Sequence, residues 1–173
     1  MNRTLLTATA AVAAGLAFQA AAQAAAPSPA PAPQLVGVAK AVAAAEAALG
    51  ARAFEAELDH EHGALVYEVN LVKDGRALSA DIDAATGRLV RQSTAPMLRL
   101  PFGDGELRAA QTAPHTLAQT IAMVEGATKG RVTGVDLEQS RGRHYYEMEL
   151  AGAQDRDVRV DVVTGAITPM IDD

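Results

Sequence analysis

The stretch that decides the fold is ALVYEVNLVKDGRALSADIDAATGRLV, residues 64–90. Apolar and polar residues alternate along 65–71 and again along 78–83, which is the period of a strand with one buried face. Between these segments, Asp74-Gly75 predicts a type I′ hairpin turn, because both residues tolerate a positive φ angle. The stretch therefore predicts antiparallel strands of a sheet that is covered on one face only.

A helix and a further strand are predicted on the N-terminal side of this hairpin. The apolar face of the helix, with spacings of three and four, consists of Leu35, Val38, Val42, Ala45 and Leu49. Gly50 is placed to end it. The next strand alternates Phe54, Ala56 and Leu58 with Glu55 and Glu57. The order is therefore one helix followed by three strands, with a short fourth strand at Leu89-Val90.

The second half of the chain repeats this pattern. A shift of 79 residues superposes Glu46 on Glu125, Leu58 on Leu137, Gly63 on Gly142, Tyr67 on Tyr146 and Glu68 on Glu147. After one deletion the shift is 78 residues. The second helix is predicted around Leu117, Ile121 and Val124, with Gly126 and Gly130 expected to weaken or end it. An internal duplication of one supersecondary unit explains both halves.

A shared turn closes the third strand of each half. The sequence Asp-x-x-Thr-Gly occurs at Asp83–Gly87 and again at Asp161–Gly165. The aspartate carboxylate can accept backbone N–H groups across such a turn, and the glycine can adopt the left-handed conformation that closes it. We interpret these residues as structural.

The predicted fold class is α+β, with two tandem small units, each of one helix packed on a three- to four-stranded antiparallel sheet. The first unit covers residues 34–91 and the second covers residues 114–171, with a connector at residues 92–113. Each unit is near the size at which a core is marginal on its own. We therefore expect the two units to pack against each other and to depend on that contact for stability.

The pattern of helix, Tyr-Glu, Asp-Gly and Asp-x-x-Thr-Gly resembles the PepSY domain. The first copy carries Tyr67-Glu68-Val69, Asp74-Gly75 and Ile82–Gly87, and the second carries Tyr146-Glu147-Met148 and Val160–Gly165. The second copy departs at the hairpin, where Gln154-Asp155-Arg156 replaces Asp-Gly. The resemblance implies small exported binding modules, found in propeptides of secreted metallopeptidases and as periplasmic domains, with no catalytic constellation.

The N-terminus predicts export. Residues 1–24 have the layout of a signal peptide, with Arg3, an apolar run to Phe18 and an Ala22-Gln23-Ala24 cleavage signal. Cleavage is predicted after Ala24, which leaves no membrane segment. Residues 25–33 form an Ala/Pro-rich linker that favours extended polyproline II. The predicted location is periplasmic or secreted, and the excess of Arg over Lys and the many Ala residues suggest a bacterial source.

Composition excludes several functions. The 173 residues carry a formal net charge of −6, which is the wrong sign for a nucleic-acid binder. The chain has no Cys and no Trp, so thiol nucleophiles, disulfides and Cys-ligated metals are excluded. No P-loop, G-x-S-x-G, H-E-x-x-H or G-x-G-x-x-G motif occurs. We assign no catalytic, cofactor-binding or metal-binding residue and predict that the protein is not an enzyme.

Two clusters remain as candidates. His60-Glu61-His62 is a ligand-like trio, interpreted as a solvated turn, with a Zn or Cu site as the alternative. The outward strand faces are acidic, with one patch of Glu55, Glu57, Glu68 and Asp81 and another of Asp136, Glu138, Glu147 and Glu149. A solvated sheet face is the simple interpretation. The functional one is a docking surface for a basic partner, with Tyr145 as an anchor.

The functional hypothesis is a non-enzymatic exported binding or regulatory module. Its partner would be an envelope or secreted protein, with a peptidase as the candidate that the resemblance suggests. The alternative is a periplasmic protein that binds a small ligand or a metal, through His60 and His62 or through the connector between the units.

Overall fold

A computed structural model describes residues 34–94, 104–151 and 157–170. The predicted signal peptide and linker at residues 1–33 lie outside the described residues, as do residues 95–103 of the connector and the Gln154-Asp155-Arg156 hairpin. The elements are α1 (Val38–Leu49), β1 (Arg52–Glu61), β2 (Ala64–Lys73), β3 (Arg76–Asp83), β4 (Leu89–Thr94), α2 (Asp104–Thr112), α3 (Leu117–Thr128), β5 (Arg131–Ser140), β6 (Arg143–Ala151), β7 (Val158–Asp161) and β8 (Ile167–Pro169).

The strands form one sheet instead of two. Its order is β4-β3-β2-β1-β5-β6-β7-β8, with every neighbouring pair antiparallel. The predicted α+β class and the two tandem units are confirmed. The two units contact each other, as expected, because the first strand of one repeat pairs edge to edge with the first strand of the other. This joining removes two exposed strand edges, which would otherwise invite pairing with other chains.

The helices α1 and α3 pack against each other and against the strands, and they enclose one shared aliphatic core. Fully buried members come from both repeats, namely Val38, Val42, Phe54, Val69, Leu71, Ile82, Leu117, Ile121, Leu137, Tyr146 and Met148. Because each repeat is too small to bury much apolar surface alone, this common core is the main stabilising contact between them.

The helix boundaries differ from the predicted ones for physical reasons. The helix α1 covers Val38–Leu49, so Leu35, predicted on its apolar face, precedes it; Gly50 ends the helix as predicted, in a left-handed conformation with φ of 58°. Gly126 does not end α3, which continues to Thr128 before the left-handed Lys129. Thr116 and Gln119 form a reciprocal capping box at its start, and this cap together with burial of Ile121 offsets the cost of a helical glycine.

Three hairpins have two-residue turns with positive φ angles at both positions. The predicted Asp74-Gly75 turn is one of them, with φ values of 50° and 72°. The others are His62-Gly63 and Arg141-Gly142, which occupy equivalent positions in the two repeats. This backbone is that of type I′ turns, whose twist matches that of the flanking strands.

The connector contains structure that the sequence did not predict. Residues Gln92–Thr94 extend β4, and α2 contacts β1, β2 and β5. The Gln111 side-chain oxygen accepts a hydrogen bond from the Gly75 backbone N–H at 3.1 Å, which ties α2 to the first hairpin. The expectation of a sheet covered on one face only is wrong for the first repeat. Val72 lies on the face opposite Leu71 and is only 1% exposed.

Candidate functional site

The two repeats meet at a seam, defined here as the pairing of β1 with β5 at Ala56 and Val135. Within the described residues, the register between these strands consists of that single pair. The strands diverge beside it and leave a groove of about 600 Å³. The groove is lined by both repeats, namely by Gln34, Leu35, Gly37, Val38, Glu57, Leu58, Tyr67, Arg131, Val132, Thr133, Gly134, Val135, Asp136 and Glu149.

Carboxylates from both repeats lie at the seam. Antiparallel register beside Ala56 and Val135 places Glu55 of β1 against Asp136 of β5. The pKa of Glu55 is raised to about 7, chiefly by burial; the hydrogen bond from Asn70 opposes the rise, and the neighbouring charges of Asp136 and Glu57 add to it. That bond runs from Asn70 Nδ2 to Glu55 Oε2 at 3.0 Å.

The second repeat replaces this Glu–Asn pair. Gly134 occupies the position equivalent to Glu55, and its register partner Glu149 occupies the position equivalent to Asn70. A Cβ added at Gly134 would lie 3.0 Å from Glu149 Oε2, so the Glu149 carboxylate fills the space that a side chain would take. The glycine thus lets a third carboxylate approach the seam from β6.

The first predicted patch lies on one face, as expected, but its members have different environments. The register aligns Glu57, Glu68 and Asp81 across three strands. Arg91 Nε donates to Asp81 Oδ2 at 2.6 Å and also pairs with Glu61. Burial raises the pKa of Glu68, whose Oε1 accepts a hydrogen bond from the Ser79 hydroxyl at 3.3 Å. Glu57 is exposed and, within the part of the chain that the structure describes, has no ion-pair partner.

The second patch contains one neutralised carboxylate. Arg159 Nε donates to Glu147 Oε1 at 3.1 Å, and the guanidinium lies 5.1 Å from the centre of the Tyr145 ring. Tyr145 is therefore half-buried, with the arginine over its ring. The sequence suggested instead an exposed tyrosine that is free to anchor a partner. The remaining members of this patch, Asp136, Glu138 and Glu149, are exposed and form no ion pair among the described residues.

The two predicted patches form one acidic face. The aligned rows Glu57-Glu68-Asp81 and Asp136-Glu147-Arg159 lie on opposite sides of the seam, on the same sheet surface. Sequence analysis placed these acids on outward faces but separated them by repeat. It missed Asn70 as the partner of Glu55. The 79-residue shift superposes Ala56 on Val135, which was the available signal for the seam.

The His60-Glu61-His62 cluster is a hairpin end. The strand β1 ends at Glu61, and His62 is the first residue of the turn with φ of 51°. Both histidines are exposed. In the described part of the chain, the carboxylates that converge closely enough to hold a metal ion are Asp59, Glu61 and Glu68, and this group includes neither histidine. Since Glu61 is already paired with Arg91, we interpret these carboxylates as part of the surface of the sheet and not as a metal site.

Arg52 links the repeats at another point. Its Nη2 donates to the backbone oxygens of Ala113 at 2.7 Å and His115 at 2.8 Å, just before α3 begins. The equivalent residue in the second repeat is Arg131, whose guanidinium lies close to Gly37, just before α1 begins. Each first-strand arginine therefore reaches the start of the other repeat's helix.

The match to a protein family model agrees with this duplicated architecture. The family model PepSY, described as "Peptidase propeptide and YPEB domain", matches residues 36–92 and 116–168. A crystal structure of a candidate lipoprotein from Clostridium difficile 630 is similar to 78% of this chain and 92% of its own, with 18% identity and a TM-score of 0.43. No curated protein matches the chain. No helix among the described residues is long and apolar enough to cross a membrane.

Proposed function

The chain belongs to the PepSY family, and from that premise we propose that it is an exported, non-enzymatic binding module that docks a partner protein on its acidic sheet face. The two matched stretches fall in the two repeats and contain nearly all of the described sheet. The proposed partner is a peptidase, which the family's description supports, or another envelope protein. The predicted periplasmic or secreted location, with cleavage after Ala24, belongs to the same proposal.

The observation that carries this proposal is the continuous acidic face across the seam. Glu57, Asp136 and Glu149 are exposed, lie around one groove and have no cationic partner among the described residues. Repulsion among unpaired carboxylates is a cost that a cationic partner would relieve. Complementary charge would raise the association rate and fix the orientation of the complex more than it raises the affinity.

A non-enzymatic role is supported by the chemistry of the face. Carboxylates dominate it, and the motifs that supply a nucleophile, a phosphate cradle or a zinc-binding pair are absent from the sequence. Glu55, whose pKa is raised, is half-buried, accepts a hydrogen bond from Asn70 and has other acids as neighbours. Occlusion of a partner's surface requires only a rigid, charged platform, which the eight-stranded sheet provides.

The proposal is tested by capture with matched variants. The seam variant carries Glu57→Gln and Asp136→Asn, and the control variant carries Asp74→Asn and Asp157→Asn, which removes the same charge at distant exposed sites. Immobilised residues 25–173 of each protein are incubated with an envelope extract at low and high salt. We expect one dominant protein to bind the wild type and the control but not the seam variant, and to be released by salt. An equal set of proteins on all three columns would refute the proposal.

The groove supports a second candidate, a small ligand held between the repeats. Its volume of about 600 Å³ is within the usual range for small-molecule sites, and Leu35, Tyr67 and Val135 give it an apolar part beside the carboxylates. A ligand that binds only the folded protein raises its melting temperature. A thermal screen with amino acids, polyamines and Zn²⁺ tests this candidate, and the absence of any shift together with specific protein capture would exclude it.

A further inference from the structure

Glu55 occupies an unusual position for an acid. It lies half-buried at the seam, next to the register pair that joins the repeats among the described residues. The groups that influence it most are Glu57 on its own strand, Asn70 on β2 and Asp136 on β5. The helix α2, which contacts β1, carries the charged residues Glu106 and Arg108, and neither is among the groups that influence Glu55 most. No lysine or arginine is among the groups that influence Glu55 most.

Asn70 provides a second, independent observation. Its Nδ2 donates to Glu55 Oε2, whereas its Oδ1 is buried and has no hydrogen-bond partner among the described residues. Asn70 itself is only 7% exposed, so water does not readily replace that partner. A buried polar atom without a partner is costly and rare in a stable fold. A donor on a neighbouring side chain would satisfy this oxygen.

A protonated Glu55 supplies such a donor. A neutral carboxyl group has one O–H, whereas a carboxylate only accepts hydrogen bonds. The O–H can pair with Asn70 Oδ1, which completes a two-bond acid–amide pair, or with the carboxylate of Asp136 across the seam. Ionised Glu55 does neither, and it would place a second negative charge beside Asp136 in a partly desolvated site.

We infer that Glu55 carries a proton when the two repeats are joined, and that loss of this proton weakens the pairing of β1 with β5, so that the seam responds to pH. The second repeat has no such acid, because Gly134 occupies the position equivalent to Glu55. The inference concerns the joining of the repeats and stands whether or not the acidic face docks a partner.

The direction of the effect follows from linkage. The pKa of Glu55 is about 7 in the folded protein, against a reference value of 4.5. Between these values the folded state binds more protons than the unfolded state, so stability falls as pH rises. The contribution is complete below pH 4.5 and is lost as pH rises through 7. Burial of Glu46 and Glu68 raises their pKa values too, so the Glu55 contribution has to be isolated by substitution.

The test compares the wild type with Glu55→Gln and with the exposed control Glu57→Gln across pH 5–8. Glutamine keeps a donor for Asn70 or Asp136 at every pH. We expect the melting temperature of the wild type and of E57Q to fall over this range by roughly 3–6 °C more than that of E55Q. Parallel profiles for the wild type and E55Q would overturn the inference.

A measurement on the wild type keeps the inference testable if E55Q does not fold. Carbon-13 NMR of the Glu side-chain carboxyl groups gives the titration midpoint of Glu55 directly. We expect a midpoint near neutrality, together with a several-fold loss of amide-exchange protection at Ala56 and Val135 above it, after correction for the intrinsic rate. A midpoint near the reference value, or protection that does not change, would overturn the inference.

Discussion

Ala56 and Val135 face each other at the centre of the sheet, and they are the same position in the two repeats. Two copies of one surface that meet at the same residue define a two-fold relationship, as in an isologous dimer. Here both copies belong to one chain. The two repeats, which are 79 residues apart in the sequence, are therefore related by a pseudo-two-fold axis through the seam. The acidic face spans this axis, and the groove lies beside it.

The first prediction concerns packing at the axis. Ala56 is fully buried, so Ala56→Leu has no space for its added carbons and should destabilise the protein by about 1–3 kcal/mol. Urea denaturation followed by circular dichroism measures the loss. The control is Ala43→Leu on the exposed side of α1, which should change stability very little. Equal stability of the two variants would show that the surroundings of Ala56 have room for the larger side chain, contrary to its burial.

The second prediction concerns a bond that both repeats conserve. Glu46 Oε1 accepts the Ala53 N–H at 3.1 Å, and Glu125 Oε1 accepts the Val132 N–H at 3.0 Å. Glu125→Ala leaves the Val132 N–H without this acceptor and should cost about 1–3 kcal/mol. Glu125→Gln keeps a side-chain oxygen and should cost less. If both substitutions lower the free energy of unfolding in urea by the same amount, the hydrogen bond to the Val132 N–H does not explain the glutamate at this position.

The third prediction concerns the link between β1 and the start of α3. Arg52→Ala removes the donor to the backbone oxygens of Ala113 and His115 and should cost about 1–3 kcal/mol. The matched control is Arg76→Ala, an exposed arginine in the first hairpin. Thermal denaturation compares them. A larger loss for the control would contradict the role given to Arg52.

The fourth prediction concerns the acid limb of the stability profile, which is the fall in melting temperature between pH 5 and pH 2.5. Hydrogen bonds from the Thr86 hydroxyl and N–H lower the pKa of Asp83, and the Thr164 N–H lowers that of Asp161. A lowered pKa contributes stability above the reference value of 3.8, and this stability is lost as pH falls through the folded-state value. The double variant Asp83→Asn and Asp161→Asn should therefore lose less of its melting temperature between pH 5 and pH 2.5 than the wild type.

The control for this profile is the double variant Asp74→Asn and Asp157→Asn, which removes the same number of carboxylates elsewhere. We expect its acid limb to follow the wild type. An acid limb that is identical in all three proteins would mean that the Asp-x-x-Thr-Gly turns contribute no pH dependence.

Local signals in the sequence predicted the elements well. The Asp-x-x-Thr-Gly turn is confirmed, because Asp83 Oδ1 accepts the Thr86 N–H at 2.7 Å and Asp161 Oδ1 accepts the Thr164 N–H at 2.8 Å. The alternation along residues 65–71 likewise places Leu71 in the core. These features depend on a few adjacent residues, so periodicity and turn chemistry are sufficient to find them.

Long-range features could not be predicted in the same way. Pairing of Ala56 with Val135 joins residues 79 positions apart, and nothing in either strand alone indicates which edge is free. The helix α2 was missed because its segment DGELRAAQT is short, polar and contains a glycine. At the site, the acids were found from alternation, but the neutralisation of Asp81 and Glu147 depends on Arg91 and Arg159, which come from other strands.

The most direct test of the docking account is a binding measurement on the protein that the capture experiment identifies. Surface plasmon resonance gives its association rate with the wild type, the Glu57→Gln/Asp136→Asn variant and the Asp74→Asn/Asp157→Asn control at two salt concentrations. Docking at the acidic face predicts a slower association rate for the seam variant alone, with a weaker dependence of that rate on salt. Identical rates and salt dependence for the seam variant and the control would contradict docking at the acidic face.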